Sequence, residues 1–297
     1  MSITVRPVRD AGDYAAWRQV RIAVVPGERA DSVEALRAQA GPHREFLIAE
    51  MDGVLAGSGL VGKSDLAGAG AMAVRVLPDM RRRGVGTAIL RVLAERAAAL
   101  GFDVVNSHVD DPGSARFAER YGFREMDREV EQVRVIGDEP APTLPDGVVI
   151  LPVSERPGLW RAAYHAVGVQ AFQDMATRAP LEVSLEQWER DWITDEDAMF
   201  VALADGEVIG CAGLLPDTDD PGRAEQALTV VRRDWRRRGV AAALKRTSLA
   251  WAAAHGLREV YTWTQRGNHD MRALNEHLGF VTSRESLSVS ASLPLPL

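Results

Sequence analysis

The stretch MRRRGVGTAIL (residues 80–90) sets three arginines and two glycines directly ahead of a small and apolar run, and WRRRGVAAALK (residues 235–245) does so again. A turn that opens a helix leaves several backbone N–H groups unpaired at the positive end of the helix dipole, which makes an anion site. Gly84 and Gly86, or Gly239 and Ala241, keep the approach to those amides clear of bulky side chains. The arginines add charge-assisted hydrogen bonds. Other phosphate sites fit less well. A dinucleotide fingerprint has Ile89 where its third glycine belongs. A Walker loop needs Gly-Lys-Ser/Thr, which neither copy has. A nucleic-acid surface needs basic and aromatic neighbours, and the following helix is alanine-rich. The plainest alternative is a solvated arginine turn before an ordinary helix, and its repetition weighs against it.

The two turns lie 155 residues apart, and other landmarks keep the same order at nearly the same spacing. LIAEMDGVLAGSGL (residues 47–60) matches FVALADGEVIGCAGL (residues 200–214), each reading strand, Asp-Gly turn, strand. YGF ending at Phe123 matches LGF ending at Phe280. A whole domain is therefore duplicated. GDEPAPTLPDG (residues 137–147) holds three prolines and reads as a linker, so the expected domains are 1–136 and 148–297. Each half reads as an opening strand, a helical region, an Asp-Gly hairpin, a strand ending at Val76 or Val231, a helix from the glycine, a strand at 103–109 or 258–264, a short helix and a closing strand. Val85, Ala88, Ile89, Val92 and Leu93 follow a helical period, as nearly do Val240, Ala243, Leu244, Thr247 and Trp251. Gly101 and Gly256 stand where a helix ends. Strand, glycine turn, helix and strand at this spacing form a βαβ unit with a parallel pair.

At 297 residues, 46% apolar and 26% charged, the composition is that of a globular protein of two domains. Cys211 is the one cysteine, which excludes a disulfide framework and a cysteine-rich zinc site, and points to the cytoplasm with no metal expected. No apolar run reaches bilayer length, and the N-terminus alternates like a strand rather than a signal peptide. Residues 1–136 balance 19 Lys and Arg against 19 Asp and Glu, so the second half carries the whole net charge of −7. An acidic half argues against a nucleic-acid surface and weakly favours cationic small molecules, although the excess also simply serves solubility.

VRVLPDMRRRGVGTAIL (residues 74–90) and VRRDWRRRGVAAALK (residues 231–245) resemble the signature of the GNAT superfamily of acyl-CoA-dependent acyltransferases, so the chain is similar to tandem GNAT proteins. The resemblance implies an α/β fold of two tandem domains, each with a mixed, mostly antiparallel sheet, a splayed parallel strand pair and flanking helices. It implies acetyl-CoA as cosubstrate. The pyrophosphate would lie on Arg81, Arg82, Arg83, Gly84, Val85, Gly86 and Thr87, or on Arg236, Arg237, Arg238, Gly239, Val240, Ala241 and Ala242. The pantetheine arm would pair with the strand through Val74 and Val76, or through Thr229 and Val231. The acceptor would be a primary amine of a small molecule or peptide, with neither nucleic acid nor membrane as partner, and the chain a monomer or homodimer.

Acetyl transfer to an amine needs a neutral nucleophile, and an alkylamine of pKa about 10.4 is almost wholly protonated near neutrality, so a base or water relay helps. Carbonyl charge needs a donor such as a backbone N–H of the splayed strand. The thiolate, with a thiol pKa of about 8.5, leaves most easily. Many relatives place a tyrosine five residues before the glycine of the closing Gly-Phe as general acid, and here Phe117 and Leu274 stand there. Tyr121 and His277 are other positions, read as packing or surface residues. The segment TWTQRGNHDMRALNEHLGF resembles the closing segment of tandem GNAT proteins, which implies roles for Asn268 and Asn275 toward the cofactor arm or a water, while Asn268 also reads as a helix cap and Met271 as core. Glu225 precedes the second cofactor strand and is a candidate base, or else a surface charge; the first half has AGAGAMAV there, with no acid. The expectation is a catalytic second domain and a supporting first one, the rival being a non-catalytic acyl-CoA-binding or scaffold protein. Acceptor choice is expected from residues 20–45 and 165–197.

Overall fold

The computed structural model describes residues 2–66, 68–174 and 181–297. Its chain forms two compact units, residues 1–128 with 286–297, and residues 129–285.

The first unit opens with β1 (Ile3–Pro7), followed by α1 (Ala11–Val24) and α2 (Val33–Gln39), whose starts are capped by the Asp10 and Ser32 side chains. Then come β2 (Arg44–Met51), β3 (Val54–Lys63), β4 (Gly70–Val76), α3 (Val85–Ala99), β5 (Val104–Val109), α4 (Pro112–Arg120) and β6 (Arg124–Val135). Strands β1 to β4 pair antiparallel in order, and β4 runs parallel to β5. Asp52 and Gly53, both with positive φ, make the β2–β3 turn. One face of this sheet packs against α3 through Leu47, Val61, Met72, Ile89 and Leu93; Phe46 and Ile48 on the other meet Trp17 and Leu36 of the early helices.

The second unit repeats the plan. It holds β7 (Val148–Pro152), α5 (Leu159–Ala163), a π-helical turn (Tyr164–Gly168), α6 (Val169–Asp174), α7 (Leu185–Asp191), β8 (Met199–Ala204), β9 (Glu207–Pro216), β10 (Arg223–Gln226), β11 (Val230–Val231), α8 (Val240–Ala254), β12 (Glu259–Gln265), α9 (His269–His277) and β13 (Val281–Ser292). Asp205 and Gly206 form the same positive-φ hairpin turn. Trp160 and Trp188 stack at 4.3 Å, and each ring N–H donates to the other's carbonyl, which ties α5 to α7.

The closing strands depart from the linear boundaries expected at 136 and 148. Residues 129–135 of β6 pair with β12 and complete the second sheet, while residues 287–292 of β13 pair with β5 and complete the first. Each closing strand thus begins in one unit and finishes in the other. The ladder rewards pairing wherever an edge is open, and sequence order does not restrict it. The buried stripes also drift from the expected ones. Helix α3 buries Leu90, Ala94 and Ala97 beside Val85, Ile89 and Leu93, and α8 buries Lys245, Ser248, Leu249 and Ala252, leaving Ala88, Val92, Thr247 and Trp251 half-buried. No helix among the described residues is long and apolar enough to cross a membrane.

Candidate active site

The two arginine turns have nearly the same backbone. A short 3-10 turn (Pro78–Met80 or Arg233–Trp235) leads to an extended arginine, then to Arg82 at φ 62° or Arg237 at φ 61°, then to Gly84 at φ 89° or Gly239 at φ 84°. A left-handed arginine is uncommon, and its recurrence marks a shape held by the surrounding structure. At Gly84 and Gly239 a side chain would be strained at that φ, whatever space surrounds it. Intrahelical bonding begins with Ala88 N–H to Gly84 and Ala243 N–H to Gly239. The amides of 85–87 and 240–242 are left pointing off the helix end.

The side chains divide the work differently from the sequence reading. Arg81 and Arg236 each donate through Nε to the carbonyl that ends the preceding strand, Val76 at 3.2 Å and Val231 at 3.0 Å, so they brace the turn. Val85 and Val240 bury their side chains in the core and can offer a ligand only their amides. The Thr87 hydroxyl bonds the Tyr121 hydroxyl at 2.8 Å. Arg82 and Arg83 have no carboxylate partner among the described residues, whereas Arg233 and Arg236 both hold Asp174 at the end of α6. Those arginines, Arg233 first, keep the Asp174 carboxyl down at about 2. Arg238 lies over the Trp235 ring at 4.9 Å.

Behind each turn a parallel strand pair parts. In the first unit β4 and β5 share only Gly70 opposite Val105 and Ala71 opposite Asn106, after which β4 stays on β3 without interruption to Val76. In the second, β10 and β12 share Ala224 opposite Val260 and Glu225 opposite Tyr261 as their last pairs. Three residues then separate Gln226 from Val230 on one strand, against two between Cys211 and Leu214 on its partner. This is a bulge of one residue, and strands bend at such points. Ala227 N–H bonds Gly213, while the N–H groups of Leu228 and Thr229 have no backbone partner among the described residues.

Register therefore matches Ala71 with Glu225 and Met72 with Gln226, and past the bulge Val74 with Thr229 and Val76 with Val231. Glu225 stands at the parting point, half-buried, with the Tyr261 hydroxyl donating to it at a long 3.5 Å. On the helix side of the parting the first unit is apolar: Met72, Leu90 and Ala118 are buried, and the Phe117 ring lies 3.4 Å from where a Cβ on Gly86 would be, beside Val76. The second unit has Gln226, Lys245 and Asn275 at the matching positions, all buried. Gln226 Oε1, Thr229 Oγ1 and Asn275 Oδ1 have no hydrogen-bond partner. Buried polar atoms are normally paired, so three together point to a ligand with polar groups of its own. Burial pushes Lys245, under the Phe280 ring at 5.4 Å, down to about 7.

Asn268 is the cap of α9, its Oδ1 accepting from Met271 N–H at 3.2 Å. Asn275 donates to Gln132 Oε1 at 2.9 Å and to Thr264 Oγ1 at 3.4 Å, which fixes its free oxygen. Tyr121 is buried, Met271 half-buried and His277 exposed. Of the segments expected to choose the acceptor, residues 175–180 lie outside the described residues. The sequence reading missed Gln226, Lys245 and the bulge. Their one trace is the drift between the hairpin and turn spacings of the two halves.

A family model described as the Acetyltransferase (GNAT) family matches residues 14–123 and again 164–280. A mycothiol acetyltransferase of Thermomonospora curvata is 32% identical over 88% of this chain and 86% of its own length. One of Geodermatophilus obscurus is 30% identical over 94% of each. Among solved structures, a tandem GNAT protein from the clavulanic acid biosynthesis pathway superposes with a TM-score of 0.76 at 20% identity, covering 98% of both chains. A GCN5-related N-acetyltransferase from Sphaerobacter thermophilus gives 0.75 at 20% identity, covering 98% and 95%. At that identity these two speak for the fold alone.

Proposed function

The chain belongs to the GNAT acetyltransferase family, and we propose that its second unit transfers an acetyl group from acetyl-CoA to the primary amine of a small molecule. The observation that carries this reading is the polar parting of β10 and β12, where three buried atoms lack partners beside Glu225. Acetyl-CoA supplies the activated acyl group as a thioester. Its pyrophosphate suits the amides of 240–242, and its pantetheine amides, which donate as well as accept, suit Gln226 Oε1, Thr229 Oγ1 and Asn275 Oδ1.

At the parting, the Glu225 carboxylate takes the proton that an ammonium acceptor must lose, directly or through water. The amides of Leu228 and Thr229 supply donors for the carbonyl oxygen as charge builds there. With Leu274 in place of a tyrosine, the thiolate departs unassisted by that position, which its modest basicity permits. The first unit, with Ala71 opposite the parting and Phe117 filling the helix side, serves as support rather than as a second reaction centre. The relatives named mycothiol acetyltransferases make their acceptor class the first to try. The test is release of free coenzyme A thiol from acetyl-CoA with a panel of amines that includes that class. Acceptor-dependent release with a matching acetylated amine is expected, and release with no amine of the panel contradicts the reading.

A further inference from the structure

The first unit has its own polar region, on the sheet face away from α3. Ser58 on β3 stands directly opposite Arg75 on β4, and Asn106 opposite Ala71 shares that face, since residues two or four apart along a strand point the same way. Ser58 is 0% and Asn106 9% exposed. Ser58 Oγ, Arg75 Nη1 and Asn106 Oδ1 are all buried without a hydrogen-bond partner. The corresponding second-unit residues are Cys211, Val230 and Tyr261, so this polarity is not a requirement of the shared fold.

The neighbours explain why Arg75 is left over. Its guanidinium lies 5.2 Å from the Trp17 ring, an apolar wall with a favourable face for a cation. Arg21 is held by Glu28 at 2.7 Å, and Asp110 accepts from the Ser286 hydroxyl at 2.6 Å. Arg21 and Glu28 are thus engaged with each other and Asp110 with a hydroxyl, and burial pushes Arg75 down to about 9. A forked guanidinium beside a hydroxyl is a carboxylate receptor. Along β4 the Arg75 and Ala71 positions are about 13 Å apart, so Asn106 stands beyond a small ligand held by Arg75 and Ser58.

We propose that this face of the first unit binds a small carboxylate, such as that of an N-acyl amino acid, with Arg75 and Ser58 donating to it. The site differs from the arginine turns and from the parting of β10 and β12, and it does not depend on the transfer reaction. Calorimetric titration of the full chain with N-acetylglycine tests it, with N-acetylglycinamide and acetate as comparison probes. Saturable binding of N-acetylglycine is expected. Removing the carboxylate from the probe, or replacing Arg75→Met, weakens it by about tenfold or more, the scale of a charge-assisted bond. Ser58→Ala keeps the assignment falsifiable should Arg75→Met fold poorly. It removes a buried hydroxyl with no partner, so the melting temperature holds or rises while affinity falls, which a structural role would not produce. Asn106→Leu, outside the reach of that ligand, leaves N-acetylglycine binding unchanged. Equal binding of N-acetylglycinamide, affinity indifferent to both Arg75→Met and Ser58→Ala, displacement by acetyl-CoA, or no saturable heat would each overturn the proposal.

Discussion

The two strand partings of this chain are copies with opposite polarity. At matched positions the first has Ala71, Met72, Val74, Leu90 and Ala118, and the second has Glu225, Gln226, Thr229, Lys245 and Asn275. Buried polar groups are costly without partners, and the second copy alone leaves three of them unpaired on this side of the sheet, where the first is apolar. The first keeps its polar groups on the other face of the sheet, at Ser58, Arg75 and Asn106. Duplication preserved both turns to within a few degrees of backbone, while the chemistry behind them diverged.

The contrast is broken most directly at the turns. Gly239→Val, which forces a β-branched residue to φ 84°, is expected to lower acetyl transfer by about a hundredfold or more, on the scale of losing a phosphate site that positions the substrate. Gly84→Val carries the same backbone strain, of about 1–3 kcal/mol, yet leaves turnover within a few-fold. Steady-state rates set beside melting temperatures separate the two effects. Next is Glu225→Gln, which keeps shape but not basicity. It should cost about 10²-fold in kcat with the affinity for acetyl-CoA unchanged, and a rate equal to that of the parent removes Glu225 as base.

Asp174→Asn sharpens the comparison from the other side, because among the described residues no carboxylate holds the arginines of the first turn in this way. Freeing Arg233 and Arg236 should tighten acetyl-CoA binding by about threefold to tenfold, more at low salt, the range of one screened charge. The carboxyl is held near 2, below its unfolded range, so it contributes stability at neutral pH that fades as pH falls from about 4 toward 2. The variant is therefore the less stable protein at pH 7, and the gap closes in acid. The smallest effect on activity is expected for Lys245→Leu, which installs the residue of the first copy. Lysine held near 7 binds its proton more weakly folded than unfolded, so the variant gains most in melting temperature below pH 7, and the gain shrinks as pH rises toward 10.

Local pattern made much of this legible. The arginine turns, the Asp-Gly hairpins, the helices opening at Val85 and Val240 and the parallel pair behind them all follow from short-range chemistry. The exchange of closing strands did not show, since which open edge residues 129–135 or 287–292 will join is a long-range choice. Nor did the bulge after Gln226, whose single extra residue surfaced only as drift in the repeat spacing. Asn268 could be read either as cap or as site residue, and the hydrogen bond from Met271 N–H to its Oδ1 makes it the cap of α9. Ser58, Arg75 and Asn106 share one face by the period of two along β3, β4 and β5, but whether their polar atoms find partners depends on how the early helices cover that face, which local pattern does not carry.

Native mass spectrometry of the full chain with acetyl-CoA tests the central claim, that only the second parting is built for the cofactor. One acetyl-CoA per chain is expected, retained in Gly84→Val and lost in Gly239→Val. Two per chain, or one that disappears with Gly84→Val and survives Gly239→Val, would contradict it.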